Sequence, residues 1–268
     1  IKSSAASDVY KRQIIIPLLT MISSTFTLAQ GELRRVQGHV GDFTLYYWKY
    51  ILTGKLASAV LWGPLKNSFI CGFFTVLVSV PLGSVLAWLM IRTDLPGKKI
   101  LGLLVTVPYM IPSWTKALAW LAMFRNSTSG ANGFLAGLGI PVPDWLAYGP
   151  IAIVLCMSMH YYAFSYIMVS GALRSINSEL EEMGEIQGAS KAQILRHITL
   201  PLILPSVLSA TVMTISKSIG TYGVPANLGN RIGYYTLATK MRTFIDQGPQ
   251  AVGYAMSIVL VLPVSYTH

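Results

Sequence analysis

The feature that most restricts this chain is a series of apolar runs long enough to cross a lipid bilayer. Residues 67–91 contain no Asp, Glu, Lys or Arg, and a helix needs about 20 apolar residues to span the hydrocarbon. Residues 100–124, 149–173 and 198–219 read as further spans, 14–29 as a truncated first one and 251–262 as the start of a sixth. In lipid every backbone N–H and C=O must be satisfied by the chain itself. Successive runs of this kind therefore predict an all-α polytopic membrane protein with about six transmembrane helices. Composition agrees, since 53% of the 268 residues are hydrophobic and only 11% are charged, and a soluble enzyme of this size needs more charge.

Net charge is +10, but the basic residues are dispersed through loops with no stripe along a helix face. Membrane lipid is thus an expected partner and nucleic acid is not. Cys71 and Cys156 lie inside apolar runs and read as packing residues rather than a disulfide or metal pair. The strings SSAASDVYKRQ and PVSYTH at the two ends resemble translated sequencing adapter. Residues 1–13 and 263–268 are therefore expected to be non-native, and the chain reads as a fragment. Residues 14–66 then hold the first span and an external segment, and 67–262 a single membrane core.

The basic turn 92–99, with Arg92, Lys98 and Lys99, points to the cytoplasm. Counting spans puts residues 178–201 on the same side and 31–66, 130–150 and 220–250 outside. One conflict stands: 31–66 carries five basic residues yet would be external. The rings Phe43, Tyr46, Tyr47, Trp48 and Tyr50 in that segment suit an interfacial helix, with a carbohydrate platform as the sharper alternative.

Residues 178–205, SELEEMGEIQGASKAQILRHITLPLILP, are acidic yet lie between two apolar runs. Ser178 with Glu181 three residues later forms a potential capping box. Gly188 can take the left-handed conformation that ends a helix. Ser190 can cap a second short helix through Lys191, Ile194 and His197, and Pro201 suits the first turn of a long apolar helix. The expectation is helix, glycine elbow, helix, membrane.

This string resembles the cytoplasmic loop of the permease subunits of binding-protein-dependent type I ABC importers, whose pattern is Glu-Ala-Ala, three residues, Gly, nine residues and Ile-x-Leu-Pro. Glu182, Gly188, Ile198, Leu200 and Pro201 match it, while Met183 and Gly184 stand where the pattern has alanines. Gly184 should cost a helix about 1 kcal/mol relative to alanine. The stretches PYMIPSWTKALAW, 108–120, and YGVPANLG, 222–229, resemble the iron(III) and polyamine permeases more than the sugar permeases.

The resemblance covers most of residues 14–262. It implies a type I importer core in a bacterial inner membrane and two separate ATPase subunits holding ATP and Mg, with no cofactor on this chain. It also implies a second permease half, as homodimer, heterodimer or fusion, and an external substrate-binding protein. The ATPase-coupling residues would be Glu181, Glu182, Glu185, Gly188, Ala189, Ser190, Ile198, Leu200 and Pro201. A solvated acidic face is the plain alternative for the glutamates.

For a gate, Pro108, Pro112 and Pro205 interrupt spans, as hinges or as static kinks. For a path, the ionisable Lys116, His160 and Lys217 lie within spans, with Tyr222 just beyond. Lys217 could instead snorkel and His160 could simply be packed and hydrogen-bonded. No phosphate-binding loop of the G-x-x-x-x-G-K-[ST] type occurs, and the four histidines are scattered. The chain is therefore expected to be a transport subunit and not an enzyme. An ion-gradient-driven secondary transporter is the main rival and a membrane-embedded enzyme the second. Both would call for intramembrane acids or a catalytic cluster, which the spans lack.

Overall fold

The computed structural model describes residues 2–33, 35–177 and 179–265, apart from the side chains of 2–11, 129 and 262–265. Helix α1 covers Lys2–Ser24, α2 Tyr46–Leu52, α3 Gly63–Arg92, α4 Lys98–Met110 and α5 Ser113–Phe124. The short α6 (Phe134–Gly137) and α7 (Asp144–Ala147) precede α8, Gly149–Ser175. Then follow α9 (Glu179–Ile186), α10 (Lys191–Ile194), α11 (Leu200–Gly220), α12 (Gly223–Leu228), α13 (Leu237–Gln247) and α14 (Gln250–Ser265). The all-α expectation holds: among the described residues extended pairing is limited to an isolated bridge between Thr27 and Phe43.

The six anticipated apolar passages are largely helical, the first leaving helix after Ser24. Ser58–Arg92, Gly149–Ser175 and Lys191–Gly220 are long and apolar enough to cross a membrane unaided, whereas Arg12–Ser24 and Gln250–Val261 are shorter apolar helices. Residues 100–124, expected as a span interrupted by prolines, are two helices that meet at Ile111 and Pro112, so the interruption at Pro112 is present. A residue before proline is driven out of the helical region, and Ile111 sits at φ −80°, ψ 129°. Pro108 and Pro205, also expected to interrupt spans, lie inside continuous helices. A lone proline removes one hydrogen bond from a helix that runs on at either side.

The described residues form two compact units, one of residues up to Asn67 together with 235–265, the other Ser68–Tyr234. Close helix approach organises the second. A Cβ added at Gly83 of α3 would come within 2.7 Å of Tyr166 N and 2.8 Å of Ser165 Cβ on α8, and one at Gly72 within 3.4 Å of Ile219 on α11. Thr75, Ser79, Ser165 and Thr214 are fully buried on the same three helices. Between apolar helices in lipid, small residues supply the close van der Waals contact that hydrophobicity cannot. One core cluster gathers Trp120, Ile153, Met157 and Leu228, and another Ala87, Tyr166, Val169, Leu173 and Ile203.

In the first unit Tyr47, Ile51, Leu61, Leu237, Val252 and Met256 are buried together. Gly253 lets α14 lie on α13, where an added Cβ would come 3.1 Å from Ile245 N. The aromatic segment is revised by this core. Tyr47 is fully buried with its hydroxyl accepting from Ala29 N at 3.1 Å, and Trp48 Nε1 donates to Thr25 Oγ1 at 3.2 Å. These rings face the protein and make no open stacking platform; Phe43, 75% exposed, stacks on Phe26.

Replacing Gly83 by leucine is expected to destabilise the protein by about 1–3 kcal/mol through overpacking, seen as a lower Tm in detergent. Leucine at Gly171, where an added Cβ meets nothing within 4 Å, should leave Tm within error of wild type.

Candidate functional site

The acidic stretch folds as an elbow with both ends closed by its own residues. Asn177 Oδ1 accepts from Glu179 N at 3.1 Å and opens α9. The Ser178 cap expected from sequence lies outside the described residues. At the far end Gly188 N donates to Glu185 O at 2.9 Å and Ala189 N to Gly184 O at 3.0 Å. This pair of bonds is the Schellman motif, and it places Gly188 at φ +84°, where a side chain would be strained. Ser190 then caps α10 in a capping box: Gln193 N donates to Ser190 Oγ and Ser190 N to Gln193 Oε1 at 2.8 Å. The reciprocal partner Gln193 was legible as Ser-x-x-Gln but not singled out.

The second short helix does not stop before the membrane span, as the sequence suggested. Lys191–Gly220 is one helical passage through a π-turn at Leu195–Thr199, where Leu200 N reaches back to Leu195 O. The wider turn falls immediately before Pro201, which has no N–H to offer the preceding turn. The second arm of the elbow is thereby helically continuous with α11.

Gly184 acquires a reason. A Cβ there would stand 3.2 Å from both Ile194 Cγ1 and Ile198 Cδ1, so the glycine lets α9 lie close against the second arm. The propensity lost in α9 is offset by that contact.

The four glutamates of α9 divide. Glu181 turns inward: Arg92 Nε, at the end of α3, lies 2.9 Å from Glu181 Oε2, and Thr199 Oγ1 donates to Glu181 Oε1 at 2.7 Å. Arg92 also donates from Nη2 to Ile176 O at 3.4 Å. With both charged side chains mostly buried, Glu181 joins α3, α9 and the π-turn, and its carboxylate is committed within the chain. Glu181, expected among the ATPase-coupling residues, is within this chain engaged by Arg92 and Thr199. Glu182 and Glu185 are exposed, beside Met183 at 56% and Ile186 at 85% exposure. An apolar strip edged by carboxylates suits a face that another protein covers. Ala189 is half-buried, and Leu200 and Pro201 are exposed.

A second constellation forms at the α4–α5 break. Pro112 has no N–H for Pro108 O, the carbonyl four residues earlier. Lys116 Nζ supplies a donor to Pro108 O, reaches Ile111 O at 3.2 Å and contacts His160 Nδ1. An ammonium has three donors and no acceptor, and here all three meet acceptors of this chain. Tyr109 stacks on His160 at 5.4 Å and packs on Phe164 at 5.6 Å, and Lys217 Nζ lies 5.3 Å from the centre of the Phe164 ring. Lys116, His160 and Lys217, chosen separately in sequence, are thus one connected group through Tyr109 and Phe164. Tyr161 hydroxyl pairs with Thr221 Oγ1 at 2.8 Å. The exposed Tyr222 stays outside the cluster. Next to it, Gly223 packs on Trp114, an added Cβ falling 2.6 Å from Trp114 Cβ, which brings the stretches 108–120 and 222–229 together.

A sequence model of the family described as binding-protein-dependent transport system inner membrane component matches residues 51–267. A probable sulfate transport system permease protein of Marchantia polymorpha is 25% identical over 82% of this chain and 75% of its own length. The sulfate transport system permease protein of Salmonella typhimurium is 24% identical over 74% and 68%. A putative 2-aminoethylphosphonate transport system permease protein of the same organism is 28% identical over 82% and 75%. Among solved structures, a bacterial ABC transporter involved in the import of alginate aligns with TM-score 0.68 at 17% identity, over 98% of this chain and 91% of that one. The MetNI methionine ABC transporter aligns at 0.58 and 21%, over 79% and 91%. These likenesses establish the fold as that of ABC importer permeases. The sulfate and aminoethylphosphonate relatives do not carry the narrower iron(III) or polyamine resemblance.

Glu181→Gln and Arg92→Gln should each destabilise the protein, and the double variant by less than their sum, with a coupling of about 1–2 kcal/mol in a thermal double-mutant cycle. Strict additivity would mean the pair does not clamp the elbow. Lys116→Met, which strands the Pro108 carbonyl, is expected to cost roughly 1–3 kcal/mol in the same assay.

Proposed function

This chain belongs to the family of binding-protein-dependent transport system inner membrane components, and from that premise we propose that it forms the translocation path for a small oxyanion in an ATP-driven importer of a bacterial inner membrane. The observation that carries the coupling is the elbow: a closed two-helix bracket, continuous with α11 and pinned to α3 through Arg92, presenting Met183, Ile186, Glu182 and Glu185 outward. That face docks on a separate ATPase subunit, where ATP and Mg are held. Closure of the ATPase pair moves the elbows, and because no flexible joint separates elbow from α11 the motion reaches the span directly. The path then alternates between a side open to an external binding protein and a side open to the cytoplasm. A second permease half completes the cavity. The likeness to the methionine ABC transporter, and to an alginate ABC transporter in complex with an alginate pentasaccharide-bound periplasmic protein, supports this assembly.

The substrate class follows from charge. Lys116 and Lys217 stand in one connected group, and the apolar spans contain no Asp or Glu. A positive interior favours an anion and repels a free polyamine. The sulfate and aminoethylphosphonate relatives support an oxyanion as well.

In a pull-down with a cognate ATPase subunit, wild type should be captured and Glu182→Ala and Gly188→Asp should not. Aspartate at a left-handed glycine costs about 1–2 kcal/mol, absorbed by the elbow, so helical content by circular dichroism is expected to stay at the wild-type level. In proteoliposomes with the binding protein, sulfate or aminoethylphosphonate uptake should require ATP. Uptake persisting without ATP would hand the chain to the secondary-transporter reading.

A further inference from the structure

Where α4 begins and α8 ends, the Ser68–Tyr234 unit contains a cavity of about 660 Å³ that neither the elbow nor the α4–α5 cluster uses. Its lining is basic at one end, with Lys98, Lys99 and Arg174, and apolar along the side, with Leu103 and Ile167. The first turn of α4 follows Gly97 with no side chain capping it, so helix N–H groups add to the positive potential. Asp94 lies 3.7 Å from Lys98 and is fully exposed on the turn, where such pairing is weak.

A second observation is independent of the charges. Ser170, 6% exposed, lines the cavity with its Oγ lacking any hydrogen-bond partner. A buried hydroxyl without a partner is costly, and a serine on a helix can ordinarily satisfy itself from the preceding turn. The apolar wall separates the possible occupants. Leu103 and Ile167 are 62% and 45% exposed, useless to a free inorganic ion but suited to an acyl chain. Met90 and Ile91 of the lining lead into Arg92, which is joined to the elbow by Glu181, so the cavity lies at the elbow's end of the unit.

We propose that this cavity binds a phosphate-class oxyanion presented as the headgroup of an anionic phospholipid of the cytoplasmic leaflet. Lys98, Lys99 and Arg174 neutralise the phosphate, Ser170 Oγ donates to it, and Leu103 and Ile167 flank the first part of the acyl chain. Basic pockets between membrane helices on the cytoplasmic side are suited to such headgroups. The assignment of the side rests on the permease reading. The lipid measurement uses neither transport nor ATPase capture, so the two readings fail separately.

The test is native mass spectrometry of the purified full chain in detergent, titrated with phosphatidylglycerol or phosphatidylcholine. Wild type should retain phosphatidylglycerol preferentially. Each Gln substitution at Lys98, Lys99 or Arg174 should weaken that binding about fivefold, Ser170→Ala should weaken it without a change of charge, and Lys98→Arg with Lys99→Arg should preserve it. If one of these variants does not fold, the other two carry the same prediction. Unchanged phosphatidylglycerol binding in folded Gln variants overturns the site. Binding of inorganic phosphate or sulfate that the same variants abolish, with no preference between the lipids, overturns the lipid assignment and gives the cavity to a soluble anion.

Discussion

A backbone carbonyl freed inside an apolar helix has no water to turn to, and the cost of leaving it unmet is several kcal/mol. Three departures from regular helix in the Ser68–Tyr234 unit carry their own remedies. The carbonyl stranded by Pro112 receives the ammonium of Lys116. The turn before Pro201 widens to π geometry. The end of α9 closes its carbonyls on the N–H groups of Gly188 and Ala189. The places where the chain bends are therefore also the places where unusual residues are held, and those residues are the functional candidates.

Lys116 illustrates how one residue can serve both readings. Its three donors are spent on Pro108, Ile111 and His160, so it splints the break between α4 and α5. In the proposed path its charge would stand beside His160, which stacks on Tyr109. A change in the angle between the two helices would alter those three contacts together, which couples the shape of the break to the position of the charge.

Glu181 performs a comparable task at the elbow. By engaging Arg92 and Thr199 it makes a bracket of three segments that are separate in sequence. A loop that merely joined two spans could move without moving them. The continuous helix from Lys191 to Gly220 and the anchorage to α3 remove that slack, leaving Glu182, Glu185, Met183 and Ile186 as the outward surface.

Much of this was legible in the residues. The apolar runs determined an all-helical membrane protein, because their length and lack of charge admit no other backbone solution in lipid. Gly188 and Ser190 determined the elbow's turn and the start of its second arm, because capping acts over a few residues and needs no distant partner. Contacts between segments far apart in the chain were decided only in the tertiary structure. Which glutamate of α9 faces inward depends on Arg92, 89 positions away, and the union of Lys116, His160 and Lys217 depends on two rings contributed by α4 and α8. The aromatic segment around Tyr47 reads as interfacial from its composition and becomes core only once α14 packs against it. Periodicity and capping are local and written in the chain, whereas the pairing of a charge is settled by the helix that arrives beside it.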